Sequence, residues 1–562
     1  MSVLVEKTRS QIEEVILNAA KVCMEKGELD LSELNSFSID VPAKREHGDY
    51  AVNAALVWSK AFKKAPRMIA EALLNNADFG GTYIDRAEIA GPGFINFFLN
   101  DNYYADIVAD ILSKGEEYGK SGYGEGKRVL VEFVSANPTG PMHIGNARGG
   151  ALGDCLAAVM EAAGYYTERE FYINDAGNQI NKFGLSLDLR YQQLYKDGIE
   201  MPEDSYHGED IIAHAKAFSE IYGDKFISET EEVRRAELVK FALPKNIQGL
   251  HDDLLKYRIE YNTWFKESTL HNNGEAARII ELLKQSGHTY TEEDALWFRA
   301  TDFGCDKDFV LVRANGVPTY VVPDIAYHYN KLVTRKFDKA IDILGADHHG
   351  YVPRLKAALT ALGVDADRLD VVLMQMVRLV RDGEVIKASK RSGKAITLVT
   401  LLDEVPIDAA RFFFNLREPN SHFDFDLDLA VNESNSNPVY YVQYAHARIC
   451  SIMRNLEAEG VTLKDAKDVD LTLLCAPEER ELILYLAAFT NEIVQAAKDY
   501  DPAKITHYVS EVATKFHKFY AACRVKGIDE DLMQARIALC NATATVIKNV
   551  LTMLKVDAPE KM

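Results

Sequence analysis

A glycine-containing turn between a predicted strand and a predicted helix is the part of the sequence best suited to bind phosphate. The run ANPTGPMHIGN, from Ala136 to Asn146, follows the apolar segment VLVEFVS and precedes a helix rich in small residues. Free backbone N–H groups and the helix dipole favour an anion at such a helix start. Gly140 and Gly145 would let the backbone approach a nucleotide, and His143 could donate to a phosphate oxygen as charge develops in the transition state. A purely structural turn is the alternative interpretation.

A short basic loop is the second segment with potential chemistry. Four cations lie within the run VIKASKRSGK, at Lys387, Lys390, Arg391 and Lys394. Ammonium and guanidinium groups at this density suit a triphosphate, although a basic run of this length is also typical of a solvated loop. Its position downstream of the first turn, in one α/β pattern, favours phosphate binding.

The segments around these two loops alternate between strand and helix patterns. VLVEFVS is followed by EREFYIND, TYVVPDIAYHYNKLV, KAIDILGADHHGYVPRLKAALTALG and DVVLMQMVRLV, which we interpret as further βα units. This alternation predicts an α/β fold with a doubly wound, Rossmann-like parallel sheet and helices on both faces. The polar, mostly helical stretch from about 185 to 290 is predicted as an insertion between the halves of that sheet.

Changes in pattern divide the chain into three predicted domains. Residues 1–118 contain helix patterns, a Gly-Pro-Gly turn and an aromatic strand, which indicate a small α+β domain. Residues 119–430 begin at the glycine-rich run GKSGYGEGK and contain the predicted sheet with its insertion. Residues 431–562 are patterned almost entirely as helices, which predicts an all-α bundle.

The composition of the chain limits its possible cellular location and the kinds of binding site that it can contain. No apolar stretch approaches the roughly 18 residues of a membrane span, and charges interrupt the apolar spacing of the first helix, so we expect a cytoplasmic protein without a membrane partner. The 7 cysteines are scattered, which argues against a disulfide framework and against a thiolate zinc site. Because the formal charge is −21, a nucleic-acid partner would require locally basic faces.

The two loops together resemble the signatures of class I aminoacyl-tRNA synthetases. HIGN at 143–146 is similar to HIGH, and KASK at 387–390 is similar to KMSK, in the expected order. Six longer segments resemble the arginyl-tRNA synthetases in particular. They are VEFVSANPTGPMHIGNARG, YINDAGNQI, TYVVPDIAYH, GADHHGY, NPVYYVQYAHARI and the C-terminal RIALCNATATVIKNVLTMLKVDAPEKM. HGDY and AGPGFINFFL resemble the N-terminal domain of that family. The resemblance covers nearly the whole chain and is least diagnostic from about 185 to 260.

This resemblance implies ATP-dependent ligation of L-arginine to tRNA(Arg) through an arginyl-adenylate, with arginyl-tRNA, AMP and pyrophosphate as products. The family also implies that Mg²⁺ arrives with ATP, that the protein itself holds no metal, that the enzyme is a monomer, and that tRNA is required before arginine is activated. Two alternatives stay open. One is another class I synthetase, such as a cysteine enzyme, which would need a thiolate-rich zinc pocket; the other is a noncatalytic RNA-binding paralogue on the same scaffold.

The resemblance also implies roles for named residues. The residues implied in ATP binding lie in the two signature loops: Pro138, Thr139, Gly140, His143, Gly145, Asn146, Lys387 and Lys390. Those implied in catalysis lie in the same loops: His143, Asn146, Lys387, Ser389 and Lys390. Those implied in arginine binding are Glu132, Asn137, Tyr320, Asp324 and His348. A carboxylate and a flat aromatic ring both suit a guanidinium, whereas a lone aspartate after proline is otherwise often a helix cap.

Three positions depart from the family pattern. Asn146 replaces the last histidine of HIGH, Ala388 replaces the methionine of KMSK, and His348 stands where some relatives have a glutamine. The pair His348–His349 also suggests a metal site, but adjacent residues on one short segment rarely bind one ion together.

The C-terminal region offers candidate RNA contacts. The residues implied in tRNA binding lie close together on one predicted helix: Tyr440, Gln443, Tyr444 and Arg448. Aromatic and arginine side chains suit stacking on unpaired bases, although tyrosine at helical spacing is equally typical of helix packing. By resemblance, this bundle would bind the anticodon stem and loop, and the N-terminal domain would contact the tRNA elbow.

Overall fold

The structure, a computed structural model, describes residues 3–42, 44–386 and 396–562. The residues of the basic loop that the sequence singles out, Lys387, Ser389, Lys390, Arg391 and Lys394, therefore lie outside the described residues. The domain boundaries predicted at residues 118 and 430 stay predictions.

An antiparallel sheet with flanking helices forms the N-terminal part of the chain. Its helices are α1 (Val3–Glu25), α2 (Ala54–Phe62), α3 (Pro66–Asn75) and α4 (Asp101–Lys114). Its strands are β1 (Ile39–Asp40), β2 (Tyr50–Val52), β3 (Ile84–Ala90) and β4 (Phe94–Leu99), in the order β1-β2-β4-β3. The fully buried rings of Trp58 and Phe62 place one face of α2 in the core. This is the α+β unit that the sequence predicts.

The middle of the chain alternates strands with helices. Its strands are β5 (Arg128–Glu132), β6 (Tyr166–Ile173), β7 (Thr263–Lys266), β8 (Thr289–Glu292), β9 (Ala295–Phe298), β10 (Phe309–Val312), β11 (Lys339–Gly345) and β12 (Leu369–Met374). Its helices are α5 (Ile144–Ala162), α6 (Gly177–Gln192), α7 (Glu209–Tyr222), α8 (Glu231–Lys256), α9 (Glu267–Asn272), α10 (Glu275–Gln285), α11 (Val321–Tyr329) and α12 (Val352–Ala361).

Five of these strands form the predicted parallel sheet, in the order β12-β11-β5-β6-β7. The chain starts at β5, proceeds outward through β6 and β7, and then returns to the other side of β5 with β11 and β12. The order therefore reverses between β5 and β11, which is where ligands bind at the carboxyl ends of such strands. Strands β8, β9 and β10 form a separate antiparallel sheet.

Alternate residues of the parallel strands face two different cores. Val129 and Val131 of β5 belong to the core that contains α5, together with Ile341 of β11. Ala340 of β11 and Leu369 of β12 belong to a second core, with α10, α11 and α12. Helices on both faces are confirmed, and the same alternation turns polar residues of the strands toward α11.

Two predicted βα units differ from the structure. The segment TYVVPDIAYHYNKLV was predicted as strand and helix, but it forms helix α11 and a π-helical turn at Asn330–Thr334. Pro323 fits because the first turn of a helix needs no N–H donor. The apolar run is a buried helix face, which short apolar runs cannot distinguish from a strand. The predicted insertion also contains β7, the edge strand of the parallel sheet.

A small connecting unit and a helical bundle complete the chain. The former contains β13 (Val377–Arg381), β14 (Glu384–Val385), α13 (Leu398–Glu404), α14 (Ile407–Phe414), β15 (Phe423–Asp426) and α15 (Leu427–Ala430). The run DVVLMQMVRLV is thus divided between β12 and β13, which lie in different sheets. The bundle contains α16 (Pro438–Ala458), α17 (Pro477–Ala487), α18 (Phe489–Asp499), α19 (Ala503–Ala522) and α20 (Glu530–Leu554). It confirms the predicted all-α region.

Helix α20 is long and apolar enough to cross a membrane by length and composition alone. Its most apolar window has a mean hydropathy of 1.4 and is 67% buried inside the protein. It packs against α16, α19, α4 and α5. Its apolar residues are therefore those of a core helix.

Candidate active site

The first signature is joined by backbone hydrogen bonds to residues 396–398, which follow the basic loop in the sequence. The N–H of Ile144 donates to the carbonyl oxygen of Ile396 at 3.3 Å, and the N–H of Leu398 donates to that of Met142 at 2.9 Å. Between these bonds, His143 and Thr397 form an isolated antiparallel bridge. The segment that begins at Ile396 is therefore fixed against the first signature.

The first signature begins with strained backbone. Val134 and Ser135 have φ angles of 69° and 41°, in the left-handed region that a β-branched residue such as valine rarely adopts. The bend lets the hydroxyl of Ser135 donate to Glu132 Oε1 at 2.8 Å and accept from the N–H of Tyr172 at 3.1 Å. Strain of this kind persists only where the surrounding contacts hold it, and it is often found at functional sites.

The start of helix α5 faces open space. The backbone N–H of His143 donates to Asn146 Oδ1 at 3.0 Å, so Asn146 caps the helix as well as lining the cavity in front of it. A Cβ added at Gly145 would meet no atom within 4 Å, and one at Gly140 would meet only Asp210 Oδ2 at 3.8 Å. A phosphate could therefore approach the positive end of the helix dipole closely.

A cavity of about 520 Å³ lies in front of this turn. Of the residues predicted for ATP or arginine binding, it is lined by Asn137, Thr139, Gly140, His143 and Asn146. Pro138 contributes to the same turn from a buried position. The cavity thus combines backbone, amide, hydroxyl and imidazole groups, which suit the phosphates and ribose of a nucleotide.

The insertion supplies a further wall that sequence reasoning missed. Tyr206, Gly208 and Asp210 line the same cavity, and burial raises the pKa of the Asp210 carboxyl. The amide nitrogen of Asn246 on α8 donates to the carbonyl oxygen of Pro138 at 3.1 Å. His214 on α7 lies 2.7 Å from Asn246 Oδ1. These residues are distant from the signature in sequence, and no local pattern could have selected them.

Arg148 joins the helix of the first signature to the strands before the second. Its side chain is fully buried, and it donates to the carbonyl oxygens of Gln375 at 2.7 Å, Ser421 at 3.1 Å and Glu418 at 3.0 Å. Burial lowers the pKa of this guanidinium to about 10. Arg148 therefore fixes the loop between β12 and β13 relative to α5.

The residues predicted to meet the guanidinium lie together at the start of α11. Asp324 Oδ2 accepts from the hydroxyl of Tyr351 at 2.5 Å, and the ring of Tyr351 lies 5.9 Å from that of Tyr320. Burial raises the pKa of Asp324 to about 6, although the bond from Tyr351 acts in the opposite direction. Tyr320 is 68% exposed and so presents a free ring face. His348 is exposed in the short turn Ala346–His348 that follows β11.

Two further residues of this pocket were missed by sequence reasoning. Glu267 lies at the start of α9, and its carboxylate acts on Asp324 together with that of Glu132. The pKa of Tyr172 is raised first by burial and then by the charges of Glu267, Asp324 and Glu132. Burial also raises the pKa of Glu267. Carboxylates and tyrosine rings are the groups that suit a planar cation.

One buried group at this pocket has the composition of a metal site. Ligand atoms of Glu132, His328 and Asp342 lie within 4.8 Å of one another. The ammonium of Lys331 contacts Glu132 Oε2 at 2.5 Å and Asp342 Oδ1 at 2.8 Å. Lys331 therefore supplies the positive charge that two of these carboxylates need, without an ion.

The residues predicted to bind tRNA divide between two faces of α16. The rings of Tyr440 and Tyr444 are stacked at 6.3 Å, and the Arg448 guanidinium lies 5.0 Å from the ring of Tyr444. Gln443 points elsewhere: its amide donates to Asp408 Oδ2 at 2.8 Å and to the carbonyl oxygen of Asp557 at 2.9 Å. Gln443 thus already has structural partners.

Comparison with known proteins places the whole chain in one family. The model of the arginyl tRNA synthetase N terminal domain matches residues 7–99, and that of the class I (R) tRNA synthetase catalytic domain matches residues 107–450. The model of the DALR anticodon binding domain matches residues 442–562. The three matches account for nearly the whole sequence in the order that the resemblance predicts.

Individual relatives agree over their full length. The chain is 52% identical to the arginine–tRNA ligase of Acetivibrio thermocellus over 564 residues, and 53% identical to that of Caldanaerobacter subterraneus over 562 residues, with 100% of each chain covered in both cases. The arginyl-tRNA synthetase of Thermus thermophilus shares the fold with a TM-score of 0.73 and 22% identity, covering 98% of this chain and 100% of that chain. The chain belongs to the arginyl-tRNA synthetases, a family of class I aminoacyl-tRNA synthetases.

Proposed function

We propose that the cleft at the carboxyl ends of β5 and β11 activates arginine with ATP and then transfers it to tRNA(Arg). Arginine–tRNA ligase activity is the activity of this chain, as its full-length relatives indicate. The proposal concerns the residues that perform it. The observation that supports it most is that the first signature turn, which is hydrogen-bonded to residues 396–398, and the buried carboxylate of Asp324 both lie at this edge of the parallel sheet.

ATP is the nucleotide of class I synthetases, and we assign its phosphates to the open start of α5. His143 would donate to the phosphates, and Lys387 and Lys390 would approach from the second signature with Ser389 between them. Mg²⁺ would enter with ATP as part of the substrate. The arginine carboxylate oxygen forms a bond to the α-phosphorus while the bond to pyrophosphate breaks, and these cations stabilise the charge on the leaving group.

Arginine would lie between Asn137 and the carboxylate pocket. Asp324 and Glu267 would pair with the guanidinium, Tyr320 would cover its face, and Glu132 and Asn137 would contact the amino end. His348 would complete the wall at the end of β11. A pocket with several carboxylates favours arginine over neutral isosteres, because binding a neutral ligand would leave those charges buried without a partner.

Transfer requires no side-chain nucleophile. The 2′-hydroxyl oxygen of the terminal adenosine of the tRNA attacks the carbonyl carbon of the arginyl-adenylate. The bond between that carbon and the phosphate oxygen then breaks, and AMP leaves with the electron pair of this bond. Catalysis in both steps consists mainly of positioning and charge stabilisation.

We propose that the protein acts as a cytoplasmic monomer. Tyr440, Tyr444 and Arg448 would contact the anticodon arm of the tRNA, with Gln443 beside them, and the N-terminal domain would contact the tRNA elbow.

The Asp324→Asn variant tests the arginine pocket. Its loss of charge removes a charge-assisted pair with the guanidinium, so we expect the arginine KM to rise by about 10- to 100-fold, equivalent to roughly 1.5–3 kcal/mol. The ATP KM should stay within twofold. Inhibition by citrulline, a neutral analogue of arginine, should become relatively stronger. Unchanged arginine kinetics in D324N would remove Asp324 from the pocket.

A further inference from the structure

Two residues of the proposed arginine pocket, Glu132 and Asp324, are connected to one buried set of polar side chains, which consists of Lys331, Asp342 and His328. We propose that Lys331 and His328 are positioning residues for arginine recognition: Lys331 holds Glu132, and His328 holds the first turn of α11 that carries Asp324. This inference rests on the proposed function, because it takes Glu132 and Asp324 as arginine ligands. Neither Lys331 nor His328 is placed to touch the substrate.

Lys331 holds the carboxylate of Glu132 in one orientation. Its side chain is fully buried, and its ammonium contacts Glu132 Oε2 at 2.5 Å and Asp342 Oδ1 at 2.8 Å. The other carboxylate oxygen of Glu132 accepts from Ser135 at 2.8 Å. Glu132 is therefore held at both oxygens, and its orientation toward the pocket is set before any ligand binds.

His328 extends this connection to Asp324. One ring nitrogen, Nε2, lies 2.6 Å from Asp342 Oδ2, and the other, Nδ1, lies 2.7 Å from the backbone carbonyl oxygen of Asp324. The two ring nitrogens of His328 bridge the side chain of Asp342 and the backbone of Asp324. The connection thus passes from Glu132 through Lys331, Asp342 and His328 to Asp324.

The charges in this set depend on one another. Burial alone would raise the pKa of Asp342, but Lys331 and His328 outweigh that effect and lower it below its ordinary value. If the ammonium of Lys331 is removed, Asp342 keeps its contact with His328, but Glu132 becomes a buried carboxylate without a counter-charge and must take up a proton or turn away. The pocket then loses either the negative charge of the Glu132 carboxylate or the orientation of that carboxylate. The nucleotide cavity contacts Glu132 through Ser135, whereas Thr139, Gly140, His143 and Asn146 also line it, so we expect ATP binding to change much less than arginine binding.

The test compares Lys331→Met with Lys339→Met. Lys339 starts strand β11, at the end away from the pocket, and contacts Asp370 Oδ2 at 2.5 Å and the Tyr500 hydroxyl at 3.1 Å. K339M therefore removes a lysine–aspartate ion pair from the strand that carries Asp342, at the end away from the pocket. The measurements are the KM values for arginine and ATP in tRNA-dependent ATP–pyrophosphate exchange, kcat, and the thermal unfolding midpoint. D324N is included as a reference for the pocket itself.

We expect K331M to raise the arginine KM at least tenfold, with the ATP KM within twofold, while K339M changes neither. H328Q keeps only one of the two ring contacts, so it should give a smaller rise in the arginine KM, of about threefold. This variant tests the positioning role if K331M does not fold. Overturning results are an unchanged arginine KM in the folded variants, or equal losses for arginine and ATP. If D324N also leaves the arginine KM unchanged, the proposed pocket itself fails; if only D324N raises it, the positioning role alone fails.

Discussion

At the residue scale, the arginine pocket depends on carboxylates that burial makes harder to ionise. Asp324 is the clearest case, because burial raises its pKa to about 6 while its expected ligand is a permanent cation. Above that pH the carboxylate is charged and ready to pair with a guanidinium. Below it, the protonated form of the free enzyme predominates, and its binding of arginine is weaker.

The arginine KM should therefore depend on pH. One pH unit below the pKa, about one tenth of the carboxyl is ionised, so we expect the arginine KM at pH 5 to be about tenfold higher than at pH 8. The measurement is the arginine KM between pH 5 and pH 8 at saturating ATP and tRNA. The ATP KM over the same range serves as the control. In D324N the step near pH 6 should disappear; a step that persists there would assign it to another group.

Single residues were predictable where the chemistry lies within one short segment. The turn from Ala136 to Asn146 could be selected because a predicted strand precedes it and a predicted helix follows it, whereas Tyr320 and Asp324 were selected only by resemblance to the arginyl-tRNA synthetases. Glu267 and Tyr172 could not be selected, since they join the pocket only through the pairing of β6 with β7. The positive φ of Val134 also has no local sequence signal, because a β-branched residue disfavours it.

At the element scale, the insertion supports the first signature as well as covering it. Helices α7 and α8 contact the turn through His214, Asn246 and the carbonyl of Pro138. The turn itself has strained backbone and few partners of its own. Its geometry therefore depends on elements that the sequence places far away.

Asn246→Ala should weaken ATP use with little effect on arginine. Loss of a hydrogen bond of about 1 kcal/mol to the signature turn predicts a three- to tenfold decrease in kcat/KM for ATP. Gln248→Ala is the matched control, because Gln248 lies on the same helix and donates only to the exposed Asp252 at 2.8 Å. Steady-state exchange kinetics give both values. Equal effects of the two substitutions would argue that α8 acts only through general stability.

Element types were predictable where periodicity is unambiguous. The alternation of apolar residues located β5, β6, β11 and β12, and the helical spacing located α5 and the C-terminal bundle. The segment that forms helix α11 was predicted as part of a βα unit because its first residues, VVPDIA, are mostly apolar and show no clear helical period. The short strand β7 was predicted as part of a helical insertion, since four residues of mixed polarity carry little periodicity.

At the scale of the whole molecule, the three parts of the chain are joined by polar contacts. The amide of Asn549 on α20 donates to the carbonyl oxygens of Gly115 at 2.9 Å and Tyr118 at 3.1 Å. The buried Arg411 donates to the carbonyl oxygens of Leu554 at 2.7 Å and Tyr257 at 2.9 Å, and it pairs with Asp154 at 2.6 Å. The C-terminal helix α20 thus contacts both the segment that ends the N-terminal part and, through Arg411, the helices of the catalytic part.

Binding of tRNA to a chain with a formal charge of −21 requires local contacts that do not depend on net charge. The stripe of Tyr440, Tyr444 and Arg448 offers aromatic faces and one guanidinium, which lies 5.1 Å from the ring of Tyr520. Stacking of this kind is worth about 1–3 kcal/mol per base. The stripe is therefore the part of the bundle where a single substitution should affect tRNA most.

Arg448→Ala should raise the tRNA KM in aminoacylation by about tenfold, as expected for the loss of one stacking partner. Lys467→Ala is the control, because it removes one positive charge from the same bundle at an exposed ion pair with Asp465. The arginine and ATP KM values should not change in either variant. If K467A raises the tRNA KM as much as R448A does, the contact is electrostatic and not specific to the stripe.

The central claim is tested most directly by ATP–pyrophosphate exchange with each of the twenty amino acids, with and without bulk tRNA. We predict exchange with arginine alone, and only when tRNA is present, as the family implies. Exchange with another amino acid would contradict the assignment of the pocket that contains Asp324. The absence of exchange under every condition would contradict catalysis and favour a noncatalytic RNA-binding role for the same scaffold.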